Sequence, residues 1–422
     1  MSAAGPAPRA AVKTSSPPRR PGPFVGLAAA CDLIRAHTAP LEAVTLPLSQ
    51  SLGRVLAQGL PSRVDTPSAD VSLKDGYALC TADTAAATPA RPVTLRQAGT
   101  VAAGQVELAA LPVGAAVRIL TGARLPSGAD GVAPEEVVQT DGCWIRVAAP
   151  VPAGQDVLPR GHDLTRSETV LPAGTLLRPG HIGLLAAAGL ESIPVVRPPR
   201  VALVATGDEV CLPGAALGPG QLYASNLFTQ VAWCRRHDLA ATLVVSPDEE
   251  ATLSAHLQSL VRTHDAIVTS GGAWTGDRDL MGRALAGLGW QCRFHRLRLG
   301  PGKAAGFGLL HAKPVFILPG GPPANLAAFL LLVLPGLLRM AGQAEPFLPA
   351  VTVTLGTALE GRIDWTQVVY GQLVSQGTST VFQPLTAGSR LRAMAEADAL
   401  ATIPEGVARL EAGTVLTVHL LH

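Results

Sequence analysis

The sequence predicts a multidomain α/β plus β protein, built around an open, mainly parallel α/β sheet with β-rich domains on either side. Three observations carry this expectation. At 422 residues the chain is too long for one ordinary core, so two to four domains are expected. From Arg200 to about Ala341, short apolar strands alternate with helical segments, as in a parallel sheet covered on both faces. Outside that stretch the chain breaks into short β-like runs separated by proline and glycine, of which it has 36 and 44.

The elements follow in order. Residues 1–23 are rich in Pro, Ser and Ala, carry four basic residues and lack a signal peptide's apolar core, so they read as a disordered tail. VGLAAACDLIRAH (25–37) is helical. Residues 62–167 hold β-like runs such as AAVRIL, GVAPEEVV and CWIRVAA, and RPGHIGLLAAAGL (178–190) is a second helix. In the α/β stretch, RVALVA (200–205), AATLVV (240–245), AIVTSGG (266–272), RFHRLRL (293–299) and PVFIL (314–318) read as strands. LFTQVAWCRRH, SPDEEATLSAHLQSLVRTH and DLMGRALAGLG read as the helices between them. From Pro346 onward AVTVTL, TQVVYGQLV and TVLTVHLL return to short strands.

Composition excludes several classes. Hydrophobic residues make up 48% and charged residues 15%, and the formal charge of +2 gives no support to a nucleic-acid or membrane footprint. The six cysteines are scattered singly, as structural thiols in a reducing compartment would be. No HExxH or Cys/His cluster suggests zinc. The most membrane-like stretch, ANLAAFLLLVLPGLL (324–338), is short for a bilayer span and contains Pro335, so it reads as a buried helix. A soluble, cytoplasmic protein is expected.

In an open α/β sheet, ligands bind where strands end at their carboxyl edge, because loops there expose backbone N–H groups. TGDE (206–209), SPDE (246–249), TSGG (269–272) and LPGG (318–321) all follow apolar runs at that edge. Any one alone is ordinary strand termination; four together point to a site. Gly271 and Gly272 would let a bulky ligand approach the backbone without a Cβ in the way, and they follow Ser270. Glu209, Asp248 and Asp279 stand in three of these edge regions, where carboxylates facing an anionic ligand would need a cation such as Mg²⁺ between them. For Asp248 a structural alternative stands beside this: Ser246-Pro247-Asp248-Glu249 has the form of a helix start, with Ser as cap, Pro at the first position and Glu closing a capping box. Asp279 could cap the next helix, and Glu209 could be a solvated turn acid. GPGKAAGFG (300–308) offers Lys303 in a glycine-rich loop, with Arg296 and Arg298 just before it, cations suited to an oxyanion. Asp75-Gly76 and Thr121-Gly122 taken singly are turn chemistry.

In this order, LKDGYA, RILTGA with LPSGAD, GHDL, VALVATGDEV, TSGGAWTGDRD, PGK with GFG, LPGGP and GRIDW resemble the molybdenum insertase family, the MoeA proteins and the E domain of gephyrin, over residues 24–422. The resemblance implies a homodimer of four-domain subunits: a discontinuous elongated domain I (24–61 and 168–198), an inserted β-rich domain II (62–167), a MogA-like α/β molybdopterin-binding domain III (199–342) and a β-barrel domain IV (343–422). It implies an enzyme, a molybdopterin molybdenumtransferase, that inserts molybdate into adenylylated molybdopterin with Mg²⁺-dependent release of AMP. Its cleft would be shared between subunits. Asp75 and Thr121 would reach in from the partner, Asp163 would come from GHDL, and Glu209, Asp248 and Asp279 would manage metal and anhydride. Ser270, Gly271 and Gly272 would line the pterin site, and Arg296, Lys303 and Ser389 would hold anionic oxygens.

The chain departs from the family's usual pattern at several positions. Lys74 precedes Asp75, Gly300 replaces a lysine, Gly321 and Ala324 replace an amide and a hydroxyl, Gln367 stands where an arginine is expected, and His162 replaces an acid. Two lost cations beside a desolvated dianion would cost roughly 1.5 to 3 kcal/mol per charged hydrogen bond, with Lys74, Arg298 and His162 as candidate replacements. The alternative implied is a degenerate paralogue that binds molybdopterin or its adenylylated form without efficient insertion.

Overall fold

The apolar runs after Arg200 form a six-stranded sheet. Its strands are Arg200–Thr206 (β1), Ala240–Ser246 (β2), Ala266–Ser270 (β3), Gln291–His295 (β4), Gly306–Leu310 (β5) and Lys313–Leu318 (β6), in the order β2-β1-β3-β6-β5-β4. The first four in that order are parallel, β5 runs antiparallel to β6, and β4 antiparallel to β5. Val201 through Val204 of β1 are all fully buried. Both faces are covered, which is why the strand reads as a continuous apolar run and not an alternation.

The helices are Leu27–His37 (α1), Ser225–Arg236 (α2), Glu250–Thr263 (α3), Leu280–Gly287 (α4) and Pro322–Met340 (α5). On α3, Leu253, Leu257, Leu260 and Val261 recur at helical spacing and pack with Met281 and Leu285 of α4 against Val204 and Ile267. Leu227 of α2, Phe329 of α5 and Ala30 and Ile34 of α1 cover the opposite face with Leu203 and Phe316. Helix α1 therefore packs with the α/β core, although the resemblance groups it with residues 38–61. Helix α5 has the length and apolar content to cross a membrane, but 72% of its most apolar window is buried within this core. It carries a π-helical turn, Phe329–Val333, just before Pro335, where the missing proline N–H interrupts regular α-helical bonding.

Beyond α5, Ala350–Leu355 (β7), Thr366–Gln376 (β8), Ser379–Pro384 (β9), Ala399–Ile403 (β10) and Val415–Leu420 (β11) close into a five-stranded barrel. Their order is β8-β9-β7-β11-β10, and β10 pairs again with β8. Val353, Leu355, Phe382, Ala401 and Val418 fill it. Among the ties that join it to the α/β part, Leu299–Gly300 pairs with the start of β8, and Tyr370 Oη donates to the Pro323 carbonyl at 2.9 Å.

This computed structural model describes residues 24–105, 109–272, 280–377, 379–385 and 389–422, in two compact units. One comprises the sheet, barrel and α1; the other is Glu42–Arg197. In the second, Ala43–Pro47 pairs antiparallel with Ser192–Val196, and Leu60–Pro61 with Thr169–Leu171. These pairings bring the two ends of the unit together over Leu56, Leu177, Leu185 and Ile193. The intervening residues form another six-stranded sheet, whose inner strands include Gly76–Leu79 and Ala115–Ile119. The predicted N-terminal tail lies outside the described residues.

All six cysteines are free. Burial pushes the Cys31 thiol up to about 11 and Cys234 up to about 12, which makes these two inert structural thiols.

Candidate active site at the carboxyl edge of the sheet

Register alone assembles the edge. Thr206 is level with Ser246, and Ala205 with Ser270, so β1, β2 and β3 end side by side. Ser270 is level with Leu318 of β6, and Gly306 of β5 lies opposite Ile317. His295 pairs with Gly306, so the loop 296–305 leaves from this same edge. Neighbouring strands are about 4.8 Å apart, so that loop leaves β4 roughly 19 Å along the edge from β1 and enters β5 roughly 14 Å from it.

The acids lie at one end. Gly207 has φ +137°, and a Cβ there would come within 2.6 Å of Glu209 Oε2, so the glycine makes room for the Glu209 carboxylate. The Asp248 N–H donates to Asp208 Oδ1 at 3.1 Å. Partial burial, then repulsion from Asp208 and Glu209, raises the Asp248 carboxyl above the ordinary aspartate range. Glu209 and Asp248, far apart in sequence, therefore face the same small region, with Asp208 as a third acid. The expected helix start at Ser246 is not observed. Ser246 is the last residue of β2, its Oγ 3.1 Å from His256 Nδ1, and α3 begins at Glu250. The strand runs further than the capping pattern suggested because Ser246 is completely buried beside Thr206; Asp248 is thereby a loop residue. Asp279 lies outside the described residues. Among the described residues no three His, Cys, Asp or Glu side chains form a ready-made ligand shell. Mg²⁺ keeps several waters and needs only one or two protein carboxylates beside a phosphate, and mutually repelling acids are the donor set such an ion would relieve.

The middle of the edge is bare backbone. Gly271 and Gly272 have φ of +96° and +65°, and a Cβ on Gly271 would lie 2.9 Å from the Thr206 carbonyl oxygen. Ser270 Oγ accepts from Asn226 Nδ2 at 3.1 Å and Asn325 Nδ2 at 3.0 Å. Those asparagines, and Asp208, escaped the sequence reading. A signal existed for Asn325, a lone amide in a helix otherwise apolar from Pro322 to Leu338.

At the far end, Arg296 has φ +98° and its guanidinium sits 5.7 Å from the centre of the Phe24 ring. The Lys303 carbonyl accepts the Leu297 N–H at 2.9 Å, closing the loop. Arg298 is committed elsewhere: Nη2 lies 2.9 Å from Glu405 Oε2, and Nη1 donates to the Phe24 carbonyl at 2.8 Å. It is thus a structural tie and not a replacement cation. Gly300 is level with Gln367 on β8, so the two positions where cations were expected are neighbours, and Gln367 Oε1 is buried without a partner among the described residues. Ser389 caps the helix Arg390–Glu396, its Oγ accepting from the Arg392 N–H at 3.4 Å.

In the unit 42–197, Asp75 Oδ1 accepts from the Thr121 N–H at 2.7 Å and Thr121 Oγ1 at 2.8 Å. The backbone bond first, then the hydroxyl, holds the Asp75 carboxyl below the usual range. These two predicted residues are one hydrogen-bonded pair. Asp163 Oδ1 lies 3.2 Å from His162 Nδ1, and Lys74 Nζ is 3.8 Å from Asp156.

Three sequence matches run along the chain in register with this architecture. Residues 25–189 match the MoeA N-terminal region (domain I and II), residues 202–339 a probable molybdopterin binding domain, and residues 352–421 the MoeA C-terminal region (domain IV). The molybdopterin molybdenumtransferase 2 of Mycobacterium tuberculosis strain H37Rv is 32% identical over 383 residues, 89% of this chain and 94% of the relative. The chain belongs to the MoeA family. The molybdopterin molybdenumtransferase of Haemophilus influenzae is 31% identical over 388 residues, 90% of this chain and 94% of the relative. A solved MoeA protein from Pyrococcus horikoshii superposes with a TM-score of 0.82 at 31% identity, covering 95% of this chain and all of that one. A second structure of that name gives 0.80 at 25% identity, covering 94% of this chain. The MoeA fold, with its MogA-like domain and C-terminal barrel, is therefore the fold of this chain.

Proposed function

We propose that this chain is a molybdopterin molybdenumtransferase of molybdenum cofactor biosynthesis. It takes adenylylated molybdopterin and molybdate as substrates and releases AMP with the finished cofactor. The observation that carries the reading is the meeting of Glu209 and Asp248 at adjacent strand ends, where burial and mutual repulsion raise the Asp248 carboxyl. Glu209, Asp248 and Asp279 would hold Mg²⁺, which when bound neutralises charge on the phosphoanhydride. Ser270, Gly271 and Gly272 accept the pterin against bare backbone. Arg296 and Lys303, at the opposite end of the same edge, hold anionic oxygens together with Ser389. Such cleavage depends chiefly on alignment and charge neutralisation, and the separation of acids from bases along one edge favours a single orientation for an extended anionic substrate. The working form is a cytoplasmic homodimer in which Asp75 and Thr121 serve the cleft of the partner subunit, with Asp163 as a further catalytic residue.

The test is reconstitution: purified chain with adenylylated molybdopterin, Mg²⁺ and molybdate should release AMP and yield cofactor that activates a metal-free molybdoenzyme. A second reading, binding without efficient insertion, is favoured by the neighbouring Gly300 and Gln367 and by the commitment of Arg298 to Glu405. Tight pterin binding with no AMP release would support that reading instead.

A further inference from the structure

Ser270 ends β3 in the middle of the edge and is only 5% exposed. Its Oγ receives two N–H donors, and backbone carbonyls fix the orientation of both. Asn226 Nδ2 also donates to the Gly320 carbonyl at 2.8 Å, and Asn325 Nδ2 to the Pro319 carbonyl at 2.9 Å. A carbonyl oxygen can only accept, so each amide must turn its NH₂ toward this corner and toward Ser270. Gln230 Nε2 donates to Asn325 Oδ1 at 2.8 Å, fixing the same orientation from the other end. Gln230 is 1% exposed, and its own Oε1 has no partner among the described residues. An amide kept in apolar surroundings with an unmet acceptor costs about 1–3 kcal/mol, which argues that it is there to hold Asn325.

A serine hydroxyl offers two lone pairs and one hydrogen. Both lone pairs of Ser270 are occupied, and its hydrogen can go to neither NH₂ group. No other hydrogen bond from it is made among the described residues. We propose that Ser270 is an obligate hydrogen-bond donor in the substrate cleft, its polarity imposed by Asn226 and Asn325 as positioning residues. It thereby selects a substrate acceptor atom, either a pterin ring carbonyl or nitrogen or an oxygen of the terminal phosphate. The donor is set before the ligand arrives, so little ordering is left to binding, and Gly271 and Gly272 clear the approach. This inference rests on the molybdopterin reading of the site.

The experiment measures molybdopterin binding to the full chain. Ser270→Ala should raise Kd about tenfold or more, the loss of one hydrogen bond in a desolvated site. Should that variant not fold, Ser270→Cys keeps a weak donor and acceptor and should show a comparable loss. Asn226→Ala should weaken binding several-fold in the wild-type background and little in the Ser270→Ala background. A purely structural role, or direct contact of Asn226 with the ligand, would give the same loss in both. Dephosphorylated molybdopterin locates the acceptor: the Ser270→Ala loss persists for a ring atom and vanishes for a phosphate oxygen. Wild-type affinity in both Ser270 variants, with the wild-type chain binding tightly, would overturn the donor assignment and leave the proposed function standing. Failure of the wild-type chain to bind molybdopterin would overturn both.

Discussion

Replacing Gly271 by alanine tests whether bare backbone at the end of β3 is a requirement of the site. Two penalties add. At φ +96° an alanine is held where L-residues are strained, at a cost of about 1–3 kcal/mol. Its Cβ would also stand 2.9 Å from the Thr206 carbonyl oxygen. That oxygen belongs to the backbone at the end of a central strand and cannot retreat without moving the loop that carries Glu209, so overpacking adds about 1 kcal/mol or more. A total of about 2–4 kcal/mol in a domain of this size corresponds to a fall of roughly 4 to 16 °C in apparent Tm. Differential scanning fluorimetry at a fixed scan rate reads this, and molybdopterin affinity should fall at least tenfold in the same preparations. Gly300→Ala is the control, because no atom lies within 4 Å of its Cβ and its φ is not positive. A Gly271→Ala variant with the Tm and affinity of the wild type would refute the close-approach reasoning.

Other outcomes follow from the same geometry. Because the Asp248 carboxyl is raised in the fold, its favourable contribution is complete below the unfolded value near 3.8 and is lost as pH rises through the folded value. Asp248→Asn should therefore match wild-type Tm in strong acid and exceed it slightly at neutral pH, by a few tenths of a kcal/mol for so exposed a group, while AMP release falls; a pH series of melting curves checks the sign. Asp75 is shifted the other way, so its contribution is present above the unfolded value and lost as pH falls through the folded one. Thr121→Val removes the hydroxyl but keeps the N–H, and NMR titration should show the Asp75 carboxyl moving part of the way back up. Gly300→Lys restores a cation where the side chain has open space beside Gln367, and the KM for molybdate should drop several-fold, whereas an unchanged KM would show that Gly300 does not face the oxyanion.

Much of the edge could be read from the sequence because it depends on local rules. Continuous apolar runs ending in glycine located β1, β3 and β6, and the parallel register then brought Glu209 and Asp248 together. The start of α3 was misjudged because Ser-Pro-Asp-Glu satisfies local capping rules, while the burial of Ser246 between neighbouring strands is a tertiary effect that overrides them. Nothing local showed that α1 would cover the sheet, since an apolar stripe does not name its partner. Arg298 looked like a free cation until the fold brought Glu405 and the Phe24 carbonyl to it across long stretches of chain. Asn226 and Asn325 were missed for a related reason: the meaning of an amide depends on which carbonyls surround it. The Gly300–Gln367 pairing needed the barrel to be placed before two separate departures became one feature.

Carboxylates from separate strand ends are expected to act together on the nucleotide-capped substrate. Single-turnover AMP release across a Mg²⁺ titration, comparing the wild type with Glu209→Gln and Asp279→Asn, tests it most directly. The wild type should release AMP only with Mg²⁺ and molybdate present, and the two variants should bind adenylylated molybdopterin yet release none. Release at the wild-type rate from both variants would contradict that joint action.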